Sequence, residues 1–323
     1  MQLSISQCYL LKYILSVVKP YPTSIFKYKV ILLVLFMLMR LPLFSQQKKI
    51  IMLSDELPTI SYKMSGDSLV ANAEKYLYKT ISQINLNLYL LRPQLKIKKL
   101  LPAIIYFSGG GWLQESVVAQ IPNAAWFRDQ GIIGICASYR VKSKDGTTPL
   151  ECIKDAKSAV RYVRTNAIKL GIDPNKIIVA GGSAGGHIAA CTQIEGGDEP
   201  DENLSVSSKP NALVLHNPVL GEGFGDWFFK HHPQYSPIAQ VKKGWPPTIL
   251  SCGTDDEITP IVFAEKFTKQ MQSAGNICEL IKLKDADHSG DWPVSNPNFL
   301  PTLTKMTMFL QKWGFILNGK IKH

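Results

Sequence analysis

Ser183 stands at the centre of Gly181-Gly182-Ser183-Ala184-Gly185, between an apolar run, residues 176–180, and a small-residue stretch, residues 186–191. A strand that passes through a glycine-flanked serine into a helix makes a sharp, strained turn with the hydroxyl thrust clear of the sheet. Strand and helix nearly touch there, so side chains two residues either way would clash; Gly181 and Gly185 remove them. The chemistry on offer is nucleophilic attack. A hydroxyl is a weak nucleophile and needs a base, itself oriented by a third group. An ordinary glycine-rich turn can carry the same pentapeptide, so the neighbours of Ser183 decide between the readings.

The chain has six histidines, which makes elimination possible. His187 falls one helical turn after Ser183 and reads as a packing or capping group. His216 ends the apolar run Ala212–His216, His231 and His232 sit in an aromatic stretch, and His323 is the last residue. His288 remains, in the polar turn 285–290 that follows the strand-like run Cys278–Leu283, and a loop position at a strand end suits a base. For the orienting acid, Asp255, Asp256 and Glu257 crowd one turn after the run 247–252; any of them could instead cap the helix that begins near Pro260. Three adjacent acids cannot all point at one ion, and no His or Cys lies at ligand spacing, so a metal site is not expected. Upstream, residues 101–107 read as a buried strand that ends in Ser108-Gly109-Gly110-Gly111-Trp112. The N–H groups of Gly110 and Gly111, with that of Ala184, can form an oxyanion hole. A phosphate cradle is disfavoured, since neither a Gly-Lys-Ser/Thr ending nor a dinucleotide fingerprint is present.

Together these residues resemble the α/β-hydrolase superfamily, in particular the esterases related to hormone-sensitive lipase, and among them the bacterial acetyl-esterase and acetylxylan-esterase-like enzymes. The likeness runs from about Leu100 to Leu317. The family's His-Gly-Gly-Gly-Trp loop is matched by Ser108 to Trp112, and its Tyr-Arg pair by Tyr139-Arg140. Its Asp-x-x-x-Ala-x-Arg is matched by Asp155 to Arg161, Gly-Ile-Asp-Pro by Gly171 to Pro174, and Gly-Gly-Ser-Ala-Gly-Gly-His by Gly181 to His187. Its acid turn, Gly-Thr-x-Asp-x-x-Val-Pro, implies Asp256 as the acid and aligns Pro260 with its proline. One departure is Ser108 where the family has histidine, which bears on the rigidity of the loop; a serine hydroxyl can supply a similar backbone hydrogen bond.

The elements that must hold these residues follow from patterning. From about Ile84, strand-like and helical runs alternate, as in a mostly parallel sheet covered on both faces: an α/β class, and by resemblance the α/β-hydrolase fold. A helix is expected over 151–169, with Ile153, Ala156, Ala159, Val160, Val163, Ala167 and Ile168 on one stripe. A closing helix is expected over 300–316, with Leu303, Met306, Phe309, Leu310 and Trp313 inward. Residues 196–210 form a polar loop with four acids, and 221–237 an aromatic irregular stretch suited to roofing a pocket. With 323 residues, 46% of them hydrophobic, the chain suits one large domain, residues 46–323.

The first 45 residues hold no acid and five basic residues, and Lys27 to Lys29 precede an apolar run from Val30 to Met39. That pattern is expected of a signal peptide or targeting segment, with secreted or periplasmic export; the alternative is a membrane anchor over residues 30–44. Because those five are among the 36 basic residues and none of the 25 acids is, the net charge of +11 falls to +6 for residues 46–323. No basic stripe with interleaved aromatics is present, so nucleic acid is not an expected partner. Cys136, Cys152, Cys191, Cys252 and Cys278 lie mostly in apolar runs, and none or at most one disulfide is expected.

The resemblance implies a cofactor-free serine esterase on short acyl groups, above all acetyl on polysaccharide such as acetylated xylan. It assigns Ser183, His288 and Asp256 as triad, with Asp255 the competitor, and Gly110, Gly111 and Ala184 as oxyanion hole. Trp112 is expected to wall the acyl pocket, or else to be a core aromatic. A feruloyl or other small carboxyl ester suits the same residues. A peptidase of the prolyl-oligopeptidase type would need a propeller domain that so short a chain lacks. A non-catalytic binding module of the same fold would ordinarily have lost a triad residue.

Overall fold

Among the described residues, eight strands and eight α-helices position the site. In chain order the elements are α1 (Gly66–Ala71), β1 (Glu74–Ile81), β2 (Ile84–Leu91), β3 (Leu101–Phe107), α2 (Val117–Asp129) and β4 (Ile133–Ala137). There follow α3 (Lys142–Asp145), α4 (Pro149–Thr165), β5 (Ile172–Gly182), α5 (Ala184–Cys191), β6 (Ala212–His216) and α6 (Asp226–Phe229). The chain continues with β7 (Thr248–Gly253), α7 (Ile261–Ser273), β8 (Cys278–Leu283) and α8 (Phe299–Lys312). The computed structural model describes residues 66–94, 99–221 and 223–316. The amino-terminal segment read as a signal peptide, residues 1–45, and its alternative anchor, 30–44, lie outside the described residues. Among the described residues no helix is long and apolar enough to cross a membrane.

The sheet runs β1-β2-β4-β3-β5-β6-β7-β8. β1 and β2 form an antiparallel hairpin, β2 pairs antiparallel with β4, and every pairing from β4 to β8 is parallel. The inner parallel strands β3, β4 and β6 are short and apolar because both faces are covered, whereas the edge strand β8 exposes Glu279 and Lys282. Their alternation sorts the core: Ala103, Ile105 and Phe107 of β3 enter one layer with Val179, Leu215 and the α4 and α5 side chains. Ile104 and Tyr106 enter the other, with Ala180, Val214, and the apolar side chains of α2 and α8.

Two expected helices end differently from the pattern. α4 starts earlier than residue 151, because Thr148 caps it: its hydroxyl accepts from Leu150 N–H, Glu151 accepts from Thr148 N–H, and Pro149 fills the first turn. It ends at Thr165, so Ala167 is buried below the turn while Ile168, expected on the stripe, is 69% exposed. α8 buries Leu303, Met306, Phe309 and Leu310, but Trp313 lies past its end and is 36% exposed, with Lys312 Nζ 5.4 Å from its ring centroid.

The acidic loop 196–210 is drawn onto α4 by ion pairs. Arg161 meets Asp198 and Glu202, and Arg140 and Lys79 share Asp155 and Glu199. Asp155 is fully buried and also accepts the Arg140 N–H at 2.9 Å, which fixes the chain just beyond β4. All five described cysteines are free and buried.

Candidate active site

Ser183 sits at the end of β5 with φ 52° and ψ −121°, outside the regions that non-glycine residues favour. The backbone around it holds this conformation in place: Ser183 N–H donates to His216 O at 2.9 Å, and Ser183 O accepts from His187 and Val219 N–H, each at 3.1 Å. The flanking glycines are sterically required. A Cβ on Gly185 would lie 2.2 Å from Phe107 O, and one on Gly181 2.4 Å from Gly185 O. β5, β3 and α5 therefore approach closely enough to set the nucleophile beside the end of β3.

His288 and Asp256 reach Ser183 from the turns after β8 and β7. His288 Nε2 lies 3.0 Å from Ser183 Oγ, and its Nδ1 lies 2.9 Å from Asp256 Oδ2. Asp256 is buried and over-determined: Oδ1 accepts from Ile258 and Thr259 N–H, and Oδ2 from Thr259 Oγ1 at 2.6 Å and Asn217 Nδ2 at 3.1 Å. Burial alone would raise its pKa, but the hydrogen bonds from His288 and Thr259 prevail and hold it below the ordinary carboxylate value. An ionised carboxylate only accepts, so Nδ1 carries the imidazole proton and Nε2 turns its lone pair to the serine. Asp255 is exposed and accepts from Thr254 Oγ1, and Glu257 is exposed as well; Asp256 is the acid that touches His288.

The glycine loop after β3 abuts the nucleophile. A Cβ on Gly109 would lie 3.3 Å from the Ser183 Cβ. Gly110 and Gly111 have φ of 129° and 62°, and a Cβ on Gly110 would overlap Gln114 O at 2.2 Å. Ala184 opens α5, so its N–H has no intrahelical acceptor. Ser108, in place of the family's histidine, accepts Ser116 N–H on its hydroxyl at 2.9 Å, and its carbonyl accepts the Tyr139 hydroxyl at 2.7 Å. Both bonds pin the loop from behind.

A cavity of about 850 Å³ opens over Ser183. Gly110, Gly111, Phe224, Ile258, Gln120, Asn123, His216, Asp291 and Trp292 are among its lining residues, together with the acids Asp255, Glu257 and Asp287. Trp112 does not wall it; of its two expected roles it takes the second, a core aromatic. With φ 60° its side chain turns into the protein, where it is 2% exposed and packs on His187 and Phe224 at centroid distances of 5.3 and 5.7 Å. Phe224, from the aromatic stretch, takes the lining position. His187 is fully buried, with Nε2 donating to Tyr235 O at 2.9 Å.

Sequence reasoning missed Asn217, Thr259 and the His216–Asp291 pair. Asn217 has φ 41°, and its amide also donates to His288 O at 3.0 Å, tying the acid to the histidine turn. His216 Nδ1 lies 2.7 Å from Asp291 Oδ2, across 75 residues of sequence. An asparagine after a strand end was the available signal for Asn217; nothing local marks His216 and Asp291 as partners.

A parallel α/β sheet with a strained serine at the central strand end and a histidine–carboxylate line beside it defines the class of the α/β-hydrolases. Comparison with known proteins narrows this. The BD-FAE family model matches residues 86–216. The acetylxylan esterase of Xylanibacter ruminicola is 30% identical over 205 residues, 59% of this chain and 42% of that protein. An AB hydrolase superfamily protein of Schizosaccharomyces pombe is 38% identical over 200 residues, 52% of this chain and 58% of that one. The chain spans about half the length of the curated relatives it matches. Thermogutta terrifontis esterase 2, solved phosphoramylated by tabun, aligns with TM-score 0.73 and 34% identity over 77% of this chain and 98% of its own. The chain belongs to the α/β-hydrolase esterase family.

Proposed function

We propose that the protein is a serine esterase that removes short acyl groups, acetyl above all, from the hydroxyls of carbohydrate such as acetylated xylan. The observation that carries the reading is the line Ser183 Oγ–His288 Nε2–Asp256, with contacts of 3.0 and 2.9 Å, opening into a cavity lined by Gly110 and Gly111. Ser183 attacks the ester carbonyl as His288 takes its proton, and Asp256 holds the imidazole and stabilises its charged form. Gly110, Gly111 and Ala184 N–H groups meet the developing oxyanion, each contributing about a hundred- to thousandfold in turnover. His288 then protonates the leaving alcohol, and water releases the acyl group by the reverse path.

The acetyl preference is supported by the likeness to an acetylxylan esterase, and export by the basic and apolar amino-terminal segment, which suits a polymer substrate. A second reading, a carboxylesterase on simple small esters, is favoured by Phe224 and Ile258 in the cavity lining and by the likeness to Thermogutta terrifontis esterase 2, solved with propionate and with butyrate bound. Acetate release from acetylated xylan, set beside hydrolysis of p-nitrophenyl acetate and butyrate, separates the two. Acetate from the polymer that disappears in Ser183→Ala supports the first; activity on the small esters alone rejects it in favour of the second.

A further inference from the structure

The lining of the cavity over Ser183 mixes apolar and polar groups: Phe224 stands by Gly111, while Gln120 and His216 stand by Gly182, with Asn123, Asp291 and Trp292 also in the lining. Gln120 and Asn123, three apart on α2, share one face, and both are more than nine-tenths buried. Asn123 Nδ2 donates to Gln120 Oε1 at 2.8 Å. That bond leaves the Gln120 N–H pair and the Asn123 carbonyl without a protein partner among the described residues, at a cavity wall where a ligand can meet them. His216 is held from behind. Asp291 accepts from its Nδ1 at 2.7 Å and from Ser251 Oγ at 2.9 Å, and as a carboxylate it assigns the proton to Nδ1. Nε2 is then an acceptor, engaged only by a 3.4 Å contact with the Tyr106 hydroxyl, at the weak end of hydrogen bonding.

These groups stand next to the reacting centre. A Cβ on Gly182, the residue before Ser183, would lie 3.8 Å from the His216 Cβ and 3.9 Å from Gln120 Nε2. Asp291 and Trp292 sit on the turn that carries His288, the group that hands its proton to the leaving alcohol. An alkyl alcohol gains nothing from donors and an acceptor there, and burying them without partners is unfavourable. We propose that Gln120, Asn123 and His216, beside Trp292, form the subsite for a leaving alcohol that carries further hydroxyls, a polyol or sugar ring. His216 and the two amides bind; Asp291 is a positioning residue that fixes the His216 tautomer. The inference rests on the esterase reading above.

Glycerol 1-acetate and propyl acetate test it, since they differ only in the added hydroxyls. The wild-type kcat/KM should favour glycerol 1-acetate by about tenfold, the worth of one or two net hydrogen bonds. Gln120→Leu/Asn123→Leu should bring the ratio of the two to about one, and Asp291→Asn should lower it through KM for the glycerol ester. A loss of packing moves both esters together and leaves the ratio alone. If the double variant does not fold, the wild-type ratio decides: equal rates, or preference for the alkyl ester, overturn the subsite. Hydrolysis of neither ester by the wild type overturns the esterase reading and the subsite with it. Hydrolysis of both, with a ratio that the variants leave unmoved, overturns the subsite alone.

Discussion

Acidification from pH 7 to pH 4 should destabilise the protein through His187. Its Nε2 proton is committed to Tyr235 O, so Nδ1 holds the lone pair, buried and without a partner among the described residues. Burial lowers the pKa from 6.5 to about 4, with the Tyr235 hydrogen bond opposing part of the effect. For a base whose folded pKa is depressed, the unfolded chain takes up the proton first. The stabilising contribution is therefore complete above the unfolded value and is lost as the pH falls through the window from 6.5 to about 4. With those two values, about 2 kcal/mol is gone by pH 5 and about 3 kcal/mol by pH 4. The first figure corresponds to roughly 4–8 °C in Tm for a domain of this size. The carboxylates held low, Asp256, Asp291 and Glu199, lose their contributions only below unfolded values of 3.8 to 4.5. Glu115, raised by burial, acts in the opposite sense and softens the slope. Urea unfolding at stepped pH, for wild type and His187→Phe, isolates the effect: the stability of the wild type should fall relative to the variant's by about 3 kcal/mol between neutral pH and pH 4. Parallel profiles would refute the reasoning.

Other consequences are equally direct. Asp256→Asn should lower kcat by about ten-thousandfold while the protein stays folded, because the amide favours the wrong imidazole tautomer; burst and steady-state kinetics check it. Gly185→Ala puts a methyl 2.2 Å from Phe107 O and 2.4 Å from Ser108 O, so it should cost at least about 1–3 kcal/mol in a thermal melt and abolish turnover. Burial lifts the pKa of all five described thiols, Cys252 and Cys278 to about 12, so a disulfide reagent at pH 8 should leave them unmodified until denaturant is added.

The order of elements was readable because most of the parallel strands centre on short apolar runs closed by glycine or polar turns. β3, β6 and β8 span the residues that the runs in the sequence mark. α4 was misjudged at both ends although Thr148-Pro149-Leu150-Glu151 carries a complete capping box, a local signal that hydrophobic periodicity does not register. The two readings of Trp112 could not be separated in the sequence because its direction depends on a positive φ that no residue type declares. Ser183, His288 and Asp256 lie close together because three strand ends meet at the same edge of the sheet, and resemblance had already selected Asp256 over Asp255. His216 and Asp291 had no such guide: each is ordinary in its own segment, and only the crossing of β6 with the turn after β8 makes them a pair.

The most direct test of the account is the site of a covalent mark. Paraoxon should inactivate the protein stoichiometrically, and mass spectrometry of the digested adduct should place one diethylphosphoryl group on Ser183, absent in Ser183→Ala and strongly slowed in His288→Ala. Full ester hydrolysis by a protein whose Ser183 stays unmodified, or a mark on any other residue, would contradict it.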